Sequence, residues 1–200
     1  MKRIVCVLSL TLALLASGIG VQKSHAQDFA LKTNLLYDAT ATINLGAEIG
    51  LAPRWTLNIP VNYNAWSFPG YDHIYKHTYV QPEVRYWFCD RMAGHFVGLH
   101  LHGGIYNVGL FPNNIKIFWN DFAPLTQYRY QGYFAGAGVT YGYALPLNEF
   151  LNLEFELGVG YAYTKFDKFE CAECGRQVAS DRPLHYVGPT KLGINFVVVF

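Results

Sequence analysis

Charged residues recur at alternating positions in several segments, a spacing that places them on one face of an extended strand. Glu83 and Arg85 are two residues apart, and so are Glu154 and Glu156. Such groups could line an ion path, exchange protons in acid–base chemistry, or form salt bridges that fill an interior. The candidate polar cluster comprises Lys32, Glu48, Glu83, Arg85, His100, His102, Glu154, Glu156 and Lys191.

The two histidines of this set, His100 and His102, alternate with Leu99 and Leu101. A histidine pair on one face can bind a transition metal, but the metal needs a third ligand and a supporting shell of hydrogen bonds. The sequence places neither of these. We therefore expect hydrogen bonds to the carboxylates, and we expect no metal and no other cofactor.

Cys171 and Cys174 form a single Cys-x-x-Cys pair in a segment dense in charge. In an oxidising compartment such a pair is expected to form a local disulfide. A redox-active dithiol and metal binding are the alternatives. Cys89 has no evident partner.

A catalytic nucleophile is hard to place in this sequence. Ser67 lies near His73 and His77, but it lacks the flanking pattern of known lipid deacylases. We expect a protein that is not an enzyme, with an outer-membrane lipid hydrolase as the alternative.

The N-terminus has the three parts of a secretory signal peptide: basic Lys2 and Arg3, an apolar run over 4–15, and a small-residue site ending at Ala26. Cleavage would leave 27–200 as one domain and shift the formal charge from +1 to −2. No basic stripe remains to indicate nucleic-acid binding. Charged residues make up 14% of the chain, against about 25% in soluble proteins.

Period-two alternation predicts eight strands in the mature chain. They cover 29–38, 42–51, 55–66, 76–88, 95–107, 128–144, 151–163 and 185–200. Each is about 10 residues or longer, the length a tilted membrane-spanning strand needs. The long connections are predicted over 67–75, 108–127 and 164–184, and most of the others are tight turns. This asymmetry is typical of outer-membrane barrels.

The composition of the two faces of these strands indicates which face contacts lipid and which lines the interior. One edge carries small residues and sparse charges of both signs, while the other carries Leu, Val, Phe and Tyr. We predict an all-β, eight-stranded antiparallel up-and-down transmembrane β-barrel, with lipid outside and a lumen closed by salt bridges. A soluble lipocalin-like binder, with the apolar edge lining a pocket, is the alternative. Pro60 and Pro82 predict bulges. The alternation slips between Tyr130 and Tyr133, which predicts either a bulge or a later start of the sixth strand.

The chain ends in an alternating strand with Phe200 as its last residue, which resembles the closing-strand signal read by the barrel assembly machinery of Gram-negative bacteria. The chain also resembles a family of uncharacterised outer-membrane β-barrels of Bacteroides-type bacteria, catalogued as a domain of unknown function. Four segments carry the resemblance: 32–38, 44–50, 80–87 and 94–102. The resemblance implies a barrel in the outer membrane and supplies no catalytic residues.

The function expected from these features is envelope integrity, or surface binding through the long loops. The loops contain exposed aromatic residues such as Trp66 and Trp119, which either pack at the rim or meet a partner. The expected partners are the lipid bilayer, lipopolysaccharide, the assembly machinery, and a surface protein or glycan at the loops.

Overall fold

The computed structural model describes residues 28–66, 74–110, 116–117, 120–121, 123–170 and 176–200. The main sheet contains β1 (Phe29–Asn34), β2 (Ile43–Ala52), β3 (Trp55–Asn64), β4 (Ile74–Val80), β5 (Glu83–Trp87), β6 (Gly94–Gly109), β9 (Arg129–Asn148), β10 (Leu151–Phe169) and β11 (Gln177–Val199). Short strands β7 (Lys116–Ile117) and β8 (Asn120–Asp121) pair with each other. The helices are α1 (Leu35–Ala39) and a 3-10 turn over Ala123–Thr126. Among the described residues, no helix is long and apolar enough to cross a membrane.

The nine strands of the main sheet are antiparallel and form a ring, because β1 pairs with both β2 and β11. β4 and β5 both lie between β3 and β6, so the nine strands fill eight places. The prediction of an all-β antiparallel fold is confirmed. The single strand predicted over 76–88 is wrong, since the structure divides it into β4 and β5.

The division between β4 and β5 falls at Gln81 and Pro82, where proline has no N–H to donate to a ladder. Backbone bonds from the neighbours span the gap: Gln81 donates to the Pro60 carbonyl (3.1 Å), and Leu101 donates to the Pro82 carbonyl (2.9 Å). The ring therefore stays closed at this point. The bulge predicted at Pro60 is wrong, because Pro60 pairs in register with Gly46 inside β3.

Several strand ends differ from their predicted positions. β1 stops at Asn34, whose side chain accepts a hydrogen bond from the Leu36 N–H (3.1 Å) and so caps α1. β9 begins at Arg129, and its register with β6 and β10 is uninterrupted from there to Tyr133. Of the two explanations for the slip between Tyr130 and Tyr133, the bulge is therefore wrong, and the strand starts one residue later than the predicted position 128.

The long loop predicted over 164–184 is wrong for most of its length, because β10 runs to Phe169 and β11 begins at Gln177. The described charged residues of this segment, such as Lys165 and Asp181, lie in the outer part of the β10–β11 hairpin, which is half-buried on β10 and exposed on β11. The β11 part of this segment is exposed on both faces and has no continuous apolar edge, so its sequence resembles that of a loop.

The ring has an inverted distribution of polarity. Leu99 is 69% exposed on the outer face, whereas Arg85 is completely buried in the interior. The interior is layered along its axis. Its floor, at the end with the short turns, is a buried apolar group of Ala30, Trp87, Met92, Phe96, Ala144, Val197 and Val199. Charged and then uncharged polar side chains fill the interior beyond this floor.

Candidate functional site

Arg85 is the centre of a buried charged cluster in the ring interior. Its guanidinium contacts all four glutamates of the cluster: Nε bonds to Glu83 (2.6 Å), Nη1 to Glu48 (3.0 Å) and Glu154 (2.9 Å), and Nη2 to Glu156 (2.7 Å). A guanidinium offers five N–H donors in a planar fork, so it can bind several carboxylates at once. A lysine in its place could not keep this arrangement.

Two lysines complete the charged cluster from the side of the ring opposite β5. Lys32 of β1 pairs with Glu48 and with Glu154 (3.2 Å). Lys191 of β11 pairs with Glu83 (2.7 Å) and Glu156 (3.1 Å). The seven side chains come from β1, β2, β5, β10 and β11, so the cluster joins five strands across the interior.

Neutral donors add hydrogen bonds to three of these carboxylates. The Asn195 amide donates to Glu154 (2.8 Å) and to Glu156 (2.9 Å), and the Thr56 hydroxyl donates to Glu48 (2.5 Å). Burying charge is costly unless each group is paired and hydrogen-bonded, and this cluster meets most of that requirement. The arrangement favours a fixed structural plug over mobile acid–base groups.

The charged cluster rests directly on the apolar floor. The Arg85 guanidinium carbon lies 4.4 Å from the centre of the Phe96 ring, within the range of a cation–π contact. The indole N–H of Trp87 donates to Thr56 Oγ1 (3.0 Å), and Thr56 in turn bonds to Glu48. The floor and the cluster are therefore one packed unit.

The histidines lie beyond the charged cluster. The prediction that they donate hydrogen bonds to its carboxylates is wrong. His100 bonds through Nδ1 to Thr140 (2.8 Å) and through Nε2 to Thr190 (2.9 Å). His102 has no hydrogen-bond partner for either ring nitrogen among the described residues, and its ring lies 6.0 Å from that of Phe134. No group of three His, Cys, Asp or Glu side chains in the described ranges is placed to hold a metal.

Glycines on β9 make room for the histidine rings. A Cβ at Gly138 would lie 2.6 Å from His100 Nε2 and 2.6 Å from the Val159 carbonyl. We expect Gly138→Ala to lower the free energy of unfolding by about 1–3 kcal/mol, because neither the buried ring nor the backbone can move away freely. The measurement is the denaturant midpoint of the folded protein.

Gly103→Ala is the matched control for Gly138→Ala. Its Cβ would meet nothing nearer than the Phe134 carbonyl at 3.5 Å, which is an ordinary contact. The change should stay within about 0.5 kcal/mol. Equal losses at the two positions would show that His100 is not held against Gly138.

A small polar cavity lies next to the charged cluster, on the side of β2 and β3. Its walls include Tyr37 of α1 together with Lys191 and Glu156. The Tyr37 and Tyr79 hydroxyls are 2.6 Å apart, so α1 reaches across the interior to β4.

α1, the cavity and the apolar floor were not predicted from the sequence. The polar edge of β3, which includes Thr56, Asn58 and Asn62, was a usable signal for the cavity.

Some of the remaining predicted residues lie outside the described ranges, and the others lie at the two ends of the ring. Ser67, His73, Trp119, Cys171 and Cys174 lie outside the described residues, so the disulfide and the nucleophile stay predictions. Cys89 is an exposed free thiol. Phe200 donates its N–H to the Phe29 carbonyl (2.8 Å), and the two rings are 5.9 Å apart. Trp66 donates its indole N–H to the Ala41 carbonyl (2.8 Å) at the rim.

The fold and the site together define a class: antiparallel β-rings with an apolar exterior and a buried charged interior. A family model described as a protein of unknown function (DUF3575) matches residues 9–200, so the chain belongs to that family. The resemblance to a domain of unknown function is thereby confirmed. No curated protein and no solved structure matches the chain.

Proposed function

We propose that the chain is an exported, eight-stranded transmembrane β-barrel of a bacterial outer membrane, with a closed lumen and no enzymatic activity. The observation that carries the proposal is the inverted polarity. Leu45, Leu99 and Leu101 are each more than half exposed, while seven charged side chains are buried along the axis. In water this arrangement would expose apolar surface and bury charge, and both are costly. In a bilayer the same apolar surface contacts lipid chains.

Aromatic side chains on the outer face support the membrane proposal, because they form two bands. Near the short turns, Trp55 packs on Tyr86 (5.1 Å between ring centres) and His95 packs on Tyr143 (4.6 Å). At the opposite end, Tyr163 packs on His185 (5.4 Å). Aromatic girdles of this kind mark both interfaces of transmembrane barrels. The outward residues between the bands include Leu99, Leu101, Val139, Leu157, Val159 and Leu192.

The strands continue past the second aromatic band as a projecting sheet of β6, β9, β10 and β11. Its side chains pair with one another: Lys165 bonds to Asp181 (2.8 Å), and the Lys168 ammonium lies 3.5 Å from the centre of the Tyr128 ring. The hydrogen bond from Lys165 to Asp181 raises the pKa of that lysine. A pre-formed surface of this kind suits binding at the cell surface.

The closed interior favours envelope integrity or surface binding over transport. Under this proposal the bilayer and lipopolysaccharide surround the outer face, and the assembly machinery reads the last strand with Phe200. A surface protein or a glycan would bind at the loops and the projecting sheet.

The proposal is tested by placing a charge in the apolar band. Leu99→Arg should cost about 2–4 kcal/mol, because a cation near the bilayer midplane loses its hydration. We expect the variant to be depleted from outer-membrane fractions and to lose the mobility difference between unboiled and boiled samples on a gel, which the wild type should show.

Val178→Arg is the matched control for Leu99→Arg. Val178 is exposed on the projecting part of β11, where a charge should cost about 0–1 kcal/mol. A wild-type chain that stays in the aqueous phase without detergent would overturn the proposal. So would a Leu99→Arg chain that folds and fractionates like the wild type, since a solvent-exposed leucine tolerates arginine.

A further inference from the structure

The ring interior contains more negative than positive charge. Four glutamates face three cations in the charged cluster, an excess of one negative charge. Asp38 of α1 adds another carboxylate nearby, where it accepts hydrogen bonds from Thr33 (2.9 Å) and Asn44 (2.8 Å). An uncompensated charge away from water is costly, so the interior favours uptake of a cation.

The polar cavity lies between the charged cluster and the Asp38 network. Its volume is about 20 Å³, which is enough for one water molecule or one small ion. Its walls carry the amide side chains of Asn34, Asn44, Asn58, Asn62, Gln81 and Asn195. Amide oxygens are hard ligands of the type that alkali and alkaline-earth cations prefer.

One of these amides has an unused oxygen. Asn58 is 1% exposed, and its Oδ1 has no hydrogen-bond partner among the described residues. A buried acceptor without a partner costs about 1–3 kcal/mol. This oxygen is therefore available to a ligand inside the cavity.

We propose that this cavity binds one monovalent cation, with Asn58 Oδ1 and the Glu156 carboxylate among its ligands. One positive charge neutralises the excess charge of the cluster. A calcium ion would require six to eight oxygen ligands and would overcompensate the single excess charge of the cluster, since Asp38 is not among the walls of the cavity. Lys32 and Lys191 also line the cavity, but each pairs with two glutamates, and their charges are already included in the excess. The site does not depend on the proposed membrane location.

The test is equilibrium dialysis of the purified folded chain with radioactive rubidium as a potassium analogue. We expect one bound ion per chain, displaced by potassium or sodium chloride but not by choline chloride at the same ionic strength. Asn58→Leu removes the free oxygen, and Glu156→Gln removes the excess charge. Each should weaken binding at least tenfold.

Asp181→Asn is the control, since it removes the same charge from an exposed carboxylate, and it should bind rubidium like the wild type. The wild-type stoichiometry tests the proposal even if a variant fails to fold. A wild-type chain that binds no rubidium would overturn it, and water would then be the occupant. So would binding that survives both Asn58→Leu and Glu156→Gln.

Discussion

Replacing Arg85 with methionine is expected to destabilise the folded ring by at least about 3–5 kcal/mol, the cost of removing one partner from a buried ion pair. The expected cost is at the upper end or beyond, because Arg85 contacts four glutamates and has no exposed surface. Methionine keeps the aliphatic part of the side chain up to about the position of Nε, so most of the loss reports removal of the guanidinium and its charge. The measurement is the denaturant midpoint, or the yield of folded protein when the variant does not refold.

Arg91→Met is the matched control for Arg85→Met. Arg91 forms an ion pair with Asp28 at the edge of the ring, where the Arg91 side chain is 16% exposed and that of Asp28 is 65% exposed. Arg91 also donates to the Ala52 carbonyl (3.3 Å). A pair with a solvated partner contributes about 0–1 kcal/mol and a hydrogen bond about 1 kcal/mol, so this change should cost less than Arg85→Met. Adding Glu154→Gln and Glu156→Gln to Arg85→Met should restore part of the stability, since it removes the two excess negative charges and leaves Lys32 paired with Glu48 and Lys191 paired with Glu83. An Arg85→Met chain as stable as the wild type would contradict the charged cluster.

Replacing Trp87 with alanine is expected to cost about 3–5 kcal/mol, the usual range for truncating a buried aromatic side chain. Trp87 is completely buried in the apolar floor, where its ring centre lies 4.7 Å from that of Phe96. The change also removes the hydrogen bond to Thr56. Chemical unfolding followed by circular dichroism measures the loss.

Trp66→Ala provides the comparison for Trp87→Ala. Trp66 is 42% exposed at the opposite end of the ring, and its replacement should cost about 1 kcal/mol, mainly for its hydrogen bond to Ala41. If both tryptophan variants lost the same stability, the apolar floor would not be the packed layer described above.

The orientation of the strands could be predicted from the sequence because it depends on a local property, the two-residue period. Glu154 and Glu156 alternate with Phe155 and Leu157, and this pattern alone separates the two faces of β10. The same reasoning placed all nine polar candidates in the interior. It works because the apolar and polar edges are distinct over about 10 residues in each strand.

The side-chain contacts within the charged cluster could not be predicted, because they depend on the strand register and on how the ring closes. That Arg85 contacts Glu48 and Glu154 follows from strand pairings far apart in the sequence. The floor was missed for a similar reason: Met92 belongs to a turn, where a positive φ of 61° accompanies its burial in the interior. α1 was missed because Asn34 interrupts β1 by capping a helix of only five residues.

The order of the charged residues along the chain has a consequence for assembly. Lys32 lies 122 residues before its partner Glu154, and Lys191 lies 108 residues after its partner Glu83. A chain that has added only its first strands carries Glu48, Glu83 and Arg85 without the two lysine–glutamate contacts that reach the last strands. The network of ion pairs is therefore complete only when the first and last strands meet, so ring closure and pairing of the buried charges coincide.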